Sequence, residues 1–172
     1  MKALIVIDMQ HDFIDGPLGT PEAVAIIPHV QKKIDEYNAN NCNIIFTRDT
    51  HFENYLSTQE GAKLPVKHCV LKTPGWCIHE AIQSQYGAAI INKYTFGYDE
   101  WNAYCDILDI EHIEVVGIYS DICVISNVLA LKACYPDAEI TVDASCCAGT
   151  TPENHKAALQ VMKCCQVNVI NE

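Results

Sequence analysis

The chain has 172 residues, of which 49% are hydrophobic and 19% charged, and its formal net charge is −11 at pH 7. This length predicts one domain (1–172) with a single substantial core, and the scattered basic residues of so acidic a chain argue against binding to a phosphate backbone. No segment offers the roughly 18 consecutive apolar residues of a membrane span, and the apolar start is too short for a signal peptide. We therefore expect a cytoplasmic protein that binds neither nucleic acid nor membrane.

Short runs rich in Ile and Val alternate with longer amphipathic segments along the chain. The alternation predicts βαβ units and a three-layer α/β/α fold around a six-stranded, mostly parallel sheet. The predicted strands are 2–7, 42–47, 88–93, 113–118, 138–143 and 166–170. The predicted helices are 22–39, 75–86, 99–108, 121–135 and 152–164, with Thr20–Pro21 and Thr151–Pro152 as start signals. In such sheets ligands bind beyond the carboxyl ends of the strands, so residues that follow strands become candidate site residues.

Acidic residues and histidines follow the first two predicted strands. Asp8 ends the first strand, where a buried carboxylate needs a partner. Asp49 and His51 end the second and can project to the same side, and Glu60 and His68 come later. Two imidazoles with one or two carboxylates suit Zn, Mn or Fe, although each of these residues is also compatible with an ordinary structural role.

A lysine and a cysteine follow the next two strands. Lys93 needs an anionic partner if it lies at the inner edge of the sheet. Cys123 is predicted in the first turn of a helix, where backbone N–H groups favour an anion and could lower the thiol pKa enough to make the thiolate the main form. Most of the ten cysteines are interpreted as reduced, small buried residues, because the chain does not resemble a secreted disulfide scaffold.

Several motifs together resemble one known family. They are VIDMQHDFIDG, TRDTH, KHC followed by TPG, INK and GIYSDICV. With these motifs the chain resembles the isochorismatase-like cysteine hydrolases over essentially its whole length, and within them the metal-dependent nicotinamidases. The resemblance implies an isochorismatase-like fold and an amidohydrolase that converts nicotinamide to nicotinic acid and ammonia through a cysteine thioester, as in NAD salvage.

The resemblance also implies roles for particular residues. It implies a catalytic triad of Asp8, Lys93 and Cys123. It implies a divalent metal, zinc as first choice with Mn or Fe as alternatives, held by Asp49, His51, His68 and Glu60. A non-proline cis peptide is expected at Ile118–Tyr119, with the amides of Tyr119 and Cys123 as the oxyanion hole. Phe13, Leu18, Phe96 and Tyr119 are the candidates for contact with the substrate ring, and relatives are often dimers or tetramers.

Departures from the family pattern keep other functions open. Many relatives have a small residue in place of Tyr119 and a threonine in place of Ser120, and the segment YTFGYDEW after Lys93 also differs from the commoner pattern. These changes concern the substrate more than the chemistry. The alternatives are a hydrolase of another small amide, such as an N-carbamoyl or pyrazinamide-like compound, a catalytically silent ligand- or metal-binding member, and a thiol redox sensor.

Overall fold

A six-stranded sheet forms the centre of the fold in the computed structural model, which describes residues 2–83, 88–105 and 110–172. The strands pair in the order β3-β2-β1-β4-β5-β6, and all five pairs are parallel. This confirms the predicted α/β architecture. The strands are β1 (Lys2–Ile7), β2 (Asn43–Asp49), β3 (Ala89–Lys93), β4 (His112–Ile118), β5 (Glu139–Ala148) and β6 (Asn168–Ile170).

Seven α-helices are seen among the described residues, and none of them is long and apolar enough to cross a membrane. Two begin as predicted, because the side chains of Thr20 and Thr151 accept hydrogen bonds from the backbone N–H groups of Ala23 and Asn154. The helices are α1 (His11–Ile14), α2 (Pro21–Ala25), α3 (Ile27–Ala39), α4 (Gln59–Lys63), α5 (Trp101–Cys105), α6 (Ile125–Cys134) and α7 (Pro152–Cys164).

The prediction of a helix over 75–86 is wrong where the structure describes this segment. Only a single 3₁₀ turn, Pro74–Trp76, forms there, and Ile78 then pairs with Gln10 in an antiparallel bridge. The backbone groups that a helix would need are used instead by the loop after β1, since His11 N donates to Cys77 O and His79 N donates to Met9 O. Residues 84–86 of the predicted helix lie outside the described residues.

Two other helix predictions need smaller corrections. The helix predicted over 99–108 begins at Trp101, and positions 106–108 lie outside the described residues. The helix predicted over 121–135 begins with a π-helical turn, Ser120–Val124, and is regular from Ile125 onward. Cys123 therefore lies in the wider turn that precedes the regular helix.

The sheet is covered by helices on both faces. Successive strand side chains point to opposite faces, so Leu4 and Val6 of β1 pack with α1, α2 and α3, whereas Ile5 and Ile7 pack with α5, α6 and α7. The strands are buried on both sides, which explains their nearly continuous apolar sequences.

The strand order reverses between β1 and β4, and the two strands are in close contact where both end. Gly117 of β4 pairs with Ile7 of β1 and has φ +121°, a conformation that side chains other than glycine rarely adopt. A Cβ atom at this position would lie 2.2 Å from the carbonyl oxygen of Ile7. Asp8 and Cys123 follow these two strands, at the crevice where a parallel sheet of this type binds its ligands.

Candidate active site

Lys93 joins Asp8 and Cys123 in one buried group. Its Nζ atom lies 2.6 Å from Asp8 Oδ2 and 3.5 Å from Cys123 Sγ. The three residues are at most 5% exposed. The structure thus brings together the acid, the amine and the thiol that the sequence predicted at the ends of three different strands.

Asp8 is fixed by its own backbone and by β2. Its φ angle is +50°, in the left-handed region that Asp tolerates better than most residues. Thr47 Oγ1 donates a 2.6 Å hydrogen bond to Asp8 Oδ1 and accepts a 3.2 Å hydrogen bond from Asp8 N. One carboxylate oxygen is therefore held by Thr47, and the other faces Lys93.

Burial and neighbouring charges both act on the ionisation of Cys123. Burial raises the pKa of the thiol well above its ordinary value, and the nearby carboxylates of Asp8 and Asp49 act in the same direction, while Lys93 only partly opposes them. These surroundings act against the thiolate that the start of a helix was expected to favour. A nucleophile of this kind needs a base beside it.

Asp8 and Lys93 provide that base in a charged pair. Burial raises the pKa of Asp8, and Lys93 opposes this shift. Burial lowers the pKa of Lys93, but the carboxylates of Asp8 and Asp49 act in the opposite direction, and the net pKa is raised well above its ordinary value. Lys93 therefore keeps its charge, and a carboxylate with a raised pKa is a better proton acceptor than an ordinary aspartate.

A second group of side chains, Asp49, His51 and His68, lies next to the first. Asp49 Oδ1 is 3.3 Å from Lys93 Nζ, so Asp49 belongs to both groups. Its other oxygen, Oδ2, lies 2.9 Å from His51 Nε2 and 3.7 Å from His68 Nε2. One ligand atom from each of the three residues falls within a 4.8 Å span, which is the arrangement of a candidate metal site.

Two observations show that these residues suit a metal ion. His51 Nε2 is buried, and its 2.9 Å contact with Asp49 Oδ2 does not have the geometry of a hydrogen bond. His68 Nδ1 lies 2.7 Å from the carbonyl oxygen of Val66, which fixes this nitrogen as the donor and leaves Nε2 free to coordinate. Two imidazoles with one carboxylate form a donor set typical of zinc and of other divalent transition metals.

Glu60 lies at the edge of this group. Its Oε1 atom is 3.5 Å from His51 Nε2 and 4.0 Å from His68 Nε2, and its side chain is 24% exposed. It is farther from both imidazoles than Asp49 is, and it stands outside the group of three residues whose ligand atoms lie within 4.8 Å of one another.

Both groups open into one cavity of about 520 Å³, a size suited to a small ligand. The four predicted ring contacts, Phe13, Leu18, Phe96 and Tyr119, all line it. Among the residues that the structure describes, those that line the cavity are Phe13, Leu18, Thr20, Asp49, Gln59, Glu60, Lys63, Leu64, His68, Phe96, Tyr119, Ile122, Cys123 and Thr150.

Tyr119 connects the end of β4 to the loop after α1. Its single hydroxyl proton is shared between two carbonyl oxygens, that of Phe13, at 2.9 Å, and that of Leu18. Its ring is 6% exposed and packs edge to face against Phe13 at a centroid distance of 5.8 Å. The peptide bond Ile118–Tyr119 is cis, as expected. Tyr119 thus fixes one wall of the cavity as a rigid surface.

Three residues that support the site were not predicted from the sequence. Thr47 orients Asp8, as described above. Gln10 bonds both backbone groups of Asp49, at 2.7 and 2.9 Å, and Asp12 accepts a 2.7 Å hydrogen bond from the N–H group of Cys69, next to His68. Gln10 and Asp12 stand in the motif DMQHDF, so a signal was present, but their partners are 39 and 57 residues away in the sequence.

The sequence is similar to those of known proteins along nearly its whole length. Residues 2–172 match the family model of the isochorismatase domain. The chain is 25% identical over 193 residues to the nicotinamidase/pyrazinamidase of Mycobacterium tuberculosis, covering 99% of this chain and 98% of that protein.

Solved structures of known enzymes share the fold of this chain. The pyrazinamidase of Pyrococcus horikoshii in complex with zinc superimposes with a TM-score of 0.90 at 27% identity, covering 99% of both chains. The N-carbamoylsarcosine amidase of Thermoplasma acidophilum superimposes with a TM-score of 0.83 at 20% identity, covering 98% of this chain and 94% of that one. These two solved structures carry different enzyme names on one fold, so the substrate has to be argued from the cavity.

Proposed function

The chain belongs to the isochorismatase family, and we propose that within it the protein is a cysteine-dependent amidohydrolase that converts nicotinamide to nicotinic acid and ammonia. One observation carries the proposal: Lys93 lies within 3.5 Å of Cys123 Sγ, Asp8 Oδ2 and Asp49 Oδ1, so that the thiol, its base and the candidate metal ligands share one cavity. The nicotinamidase named among the relatives supports this choice of substrate.

The buried group supports the following order of proton transfers. Cys123 Sγ attacks the carboxamide carbon while Asp8 takes the thiol proton, and Lys93 balances the negative charge on both. The amides of Tyr119 and Cys123 are proposed to hold the oxyanion. Asp8 then gives its proton to the leaving ammonia, and afterwards removes a proton from the water that hydrolyses the thioester. A thiol with a raised pKa fits this sequence, because the proton leaves only as the new bond forms.

Asp49, His51 and His68 would hold a divalent ion of the zinc type, with Glu60 in reach. When bound, such an ion supplies a Lewis-acidic contact for a ring nitrogen and so orients the substrate. The rest of the orientation comes from the protein, since Phe13 and Tyr119 bound the cavity with rigid aromatic surfaces.

The charges of the cavity favour a neutral ring amide over a substrate with a carboxylate. Among the described residues of the cavity wall, Lys63 is the one cation, and it is solvent-exposed. Asp49 and Glu60 lie in the same wall. A carboxylate beside Asp49 and Glu60 would meet acidic groups, and the buried cation nearby, Lys93, already pairs with Asp8 and Asp49. A neutral carboxamide meets no such repulsion.

The test is the release of ammonia from a panel of amides by the zinc-loaded protein. We expect nicotinamide and pyrazinamide to be hydrolysed and N-carbamoylsarcosine to react poorly. Benzamide is the matched control, because it lacks only the ring nitrogen, and we expect its kcat/KM to be lower by at least about 100-fold. Cys123→Ala should be inactive, and mass spectrometry of quenched wild-type reactions should show an acyl adduct on Cys123. Faster turnover of N-carbamoylsarcosine than of nicotinamide would instead support the alternative amidase.

A further inference from the structure

A second cluster of imidazoles and carboxylates lies outside the cavity, where α1 meets the segment that follows the Pro74–Trp76 turn. It consists of His11, Asp15, His79 and Glu80. His11 Nε2 is 2.8 Å from Glu80 Oε2, His11 Nδ1 is 3.0 Å from Asp15 Oδ1, and His79 Nε2 is 3.6 Å from Asp15 Oδ2. None of these side chains lines the cavity or contacts Cys123.

The cluster repeats the geometry of the Asp49 site. In each, two histidine rings lie 4.7 Å apart between centroids. In each, an imidazole Nε2 faces a carboxylate oxygen, at 2.8 Å for His11 and Glu80 and at 2.9 Å for His51 and Asp49. Such an approach brings two lone pairs together unless a proton or a metal ion lies between them.

The rings are held in place before any ion binds. Asp15 accepts the hydrogen bond of His11 Nδ1, the usual outer contact of a coordinating histidine, and leaves Nε2 directed at Glu80. The main chain of His79 is fixed by its hydrogen bond to Met9 O. The side chains of His11 and His79 are 27% and 12% exposed. The imidazoles are thus largely preorganised, and one ligand atom each from His11, His79 and Glu80 falls within 4.8 Å.

We propose that His11, His79 and Glu80 form a second binding site for a divalent transition metal, with Asp15 orienting His11. Two imidazoles and a carboxylate suit zinc and leave a position for water. The ion would link α1 to residues 77–80, which already pair with residues 9–11 through backbone hydrogen bonds. Its role is therefore a clamp on the loop after β1, and it is independent of the amidase proposal.

Binding should be weaker here than at the Asp49 site. The carboxylate of Glu80 is 78% exposed and has to be ordered by the ion. In addition, the N–H group of Ala81 lies 3.2 Å from His79 Nδ1, and coordination by His79 disturbs this long hydrogen bond. The wild-type protein is therefore expected to bind two zinc equivalents with separable affinities.

The test is a titration of chelator-stripped protein with Zn²⁺. Binding is monitored by calorimetry and by competition with a chromophoric chelator. Wild type should bind one tight and one weaker equivalent. His79→Ala should lose the weaker one, Asp15→Asn should weaken it by about tenfold, and Asp49→Asn should lose the tight one. His112→Ala is the matched control, because His112 is paired with one carboxylate, that of Glu139, at 2.8 Å, and it should keep both equivalents.

Two further measurements test whether Cys77 binds the second equivalent and whether the His79→Ala protein is folded. Cys77 is exposed and near the cluster, so the second equivalent is also examined with Co²⁺, whose spectrum should lack thiolate-to-metal charge transfer. If His79→Ala proves unfolded by circular dichroism, Glu80→Gln replaces it, since this side chain is mostly exposed. Binding of a single equivalent by wild type, retention of the weaker equivalent by the folded variant, or a thiolate spectrum would each overturn the second site.

Discussion

The hydrogen bond from Thr47 to Asp8 allows a direct test of Asp8 as the catalytic base. Thr47→Val keeps the shape of the side chain but removes the 2.6 Å hydrogen bond that reaches Asp8 Oδ1. This bond stabilises the ionised carboxylate, so its loss should raise the pKa of Asp8 beyond the increase that burial already causes.

The magnitude follows from the strength of a hydrogen bond to a charged group. Such a bond contributes about 1.5 to 3 kcal/mol, which corresponds to about one to two pKa units at 1.36 kcal/mol each. Asp8 has to be ionised in the free enzyme to accept the thiol proton. A higher pKa therefore moves the acidic limb of the kcat/KM profile upward by about one to two pH units.

The assay is ammonia release from nicotinamide between pH 4 and 9 (a range set by the reference pKa values of carboxyl and thiol groups), with both proteins in the same metal-loaded state. Thr141→Val makes the same chemical change in β5, where the residue pairs with Glu114 and Asn168 far from Asp8, and should leave the profile unchanged. If Thr47→Val is folded and its acidic limb stays in place, Asp8 is not the group whose ionisation limits the reaction.

Three further changes have defined outcomes. Lys93→Met leaves Asp8 and Asp49 buried without their cation, so the free energy of unfolding in urea should fall by about 3 to 5 kcal/mol, and a stability equal to wild type would contradict the charged pair. Gly117→Ala places a Cβ 2.2 Å from Ile7 O and should cost at least about 3 kcal/mol in the same measurement; an unchanged midpoint would contradict the close approach of β1 and β4. Removal of the metal by a chelator should abolish nicotinamide hydrolysis while iodoacetamide still labels Cys123, and full activity of verified metal-free protein would exclude a role for the ion.

The sequence by itself determined the fold class and most of the candidate site. Runs rich in Ile and Val, separated by helical segments, specify strands buried on both faces, and such strands pair in parallel and place their carboxyl ends at one edge. That rule made Asp8, Asp49, Lys93 and Cys123 candidates, and the resemblance to a known family then implied their roles. It works because burial and backbone pairing depend on local patterns that can be read along the chain.

The tertiary structure decided what depends on contacts between distant segments. The segment 77–83 has a sequence compatible with a helix, but Cys77 O and His79 N form hydrogen bonds with residues 9–11 instead. Burial raises the pKa of Cys123, and the carboxylates that act in the same direction belong to residues distant in the sequence. Thr47, Gln10 and the cluster around His11 likewise acquire partners only when the chain folds. Electrostatic and hydrogen-bonding energies depend on distance in space, and spacing in the sequence does not supply that distance.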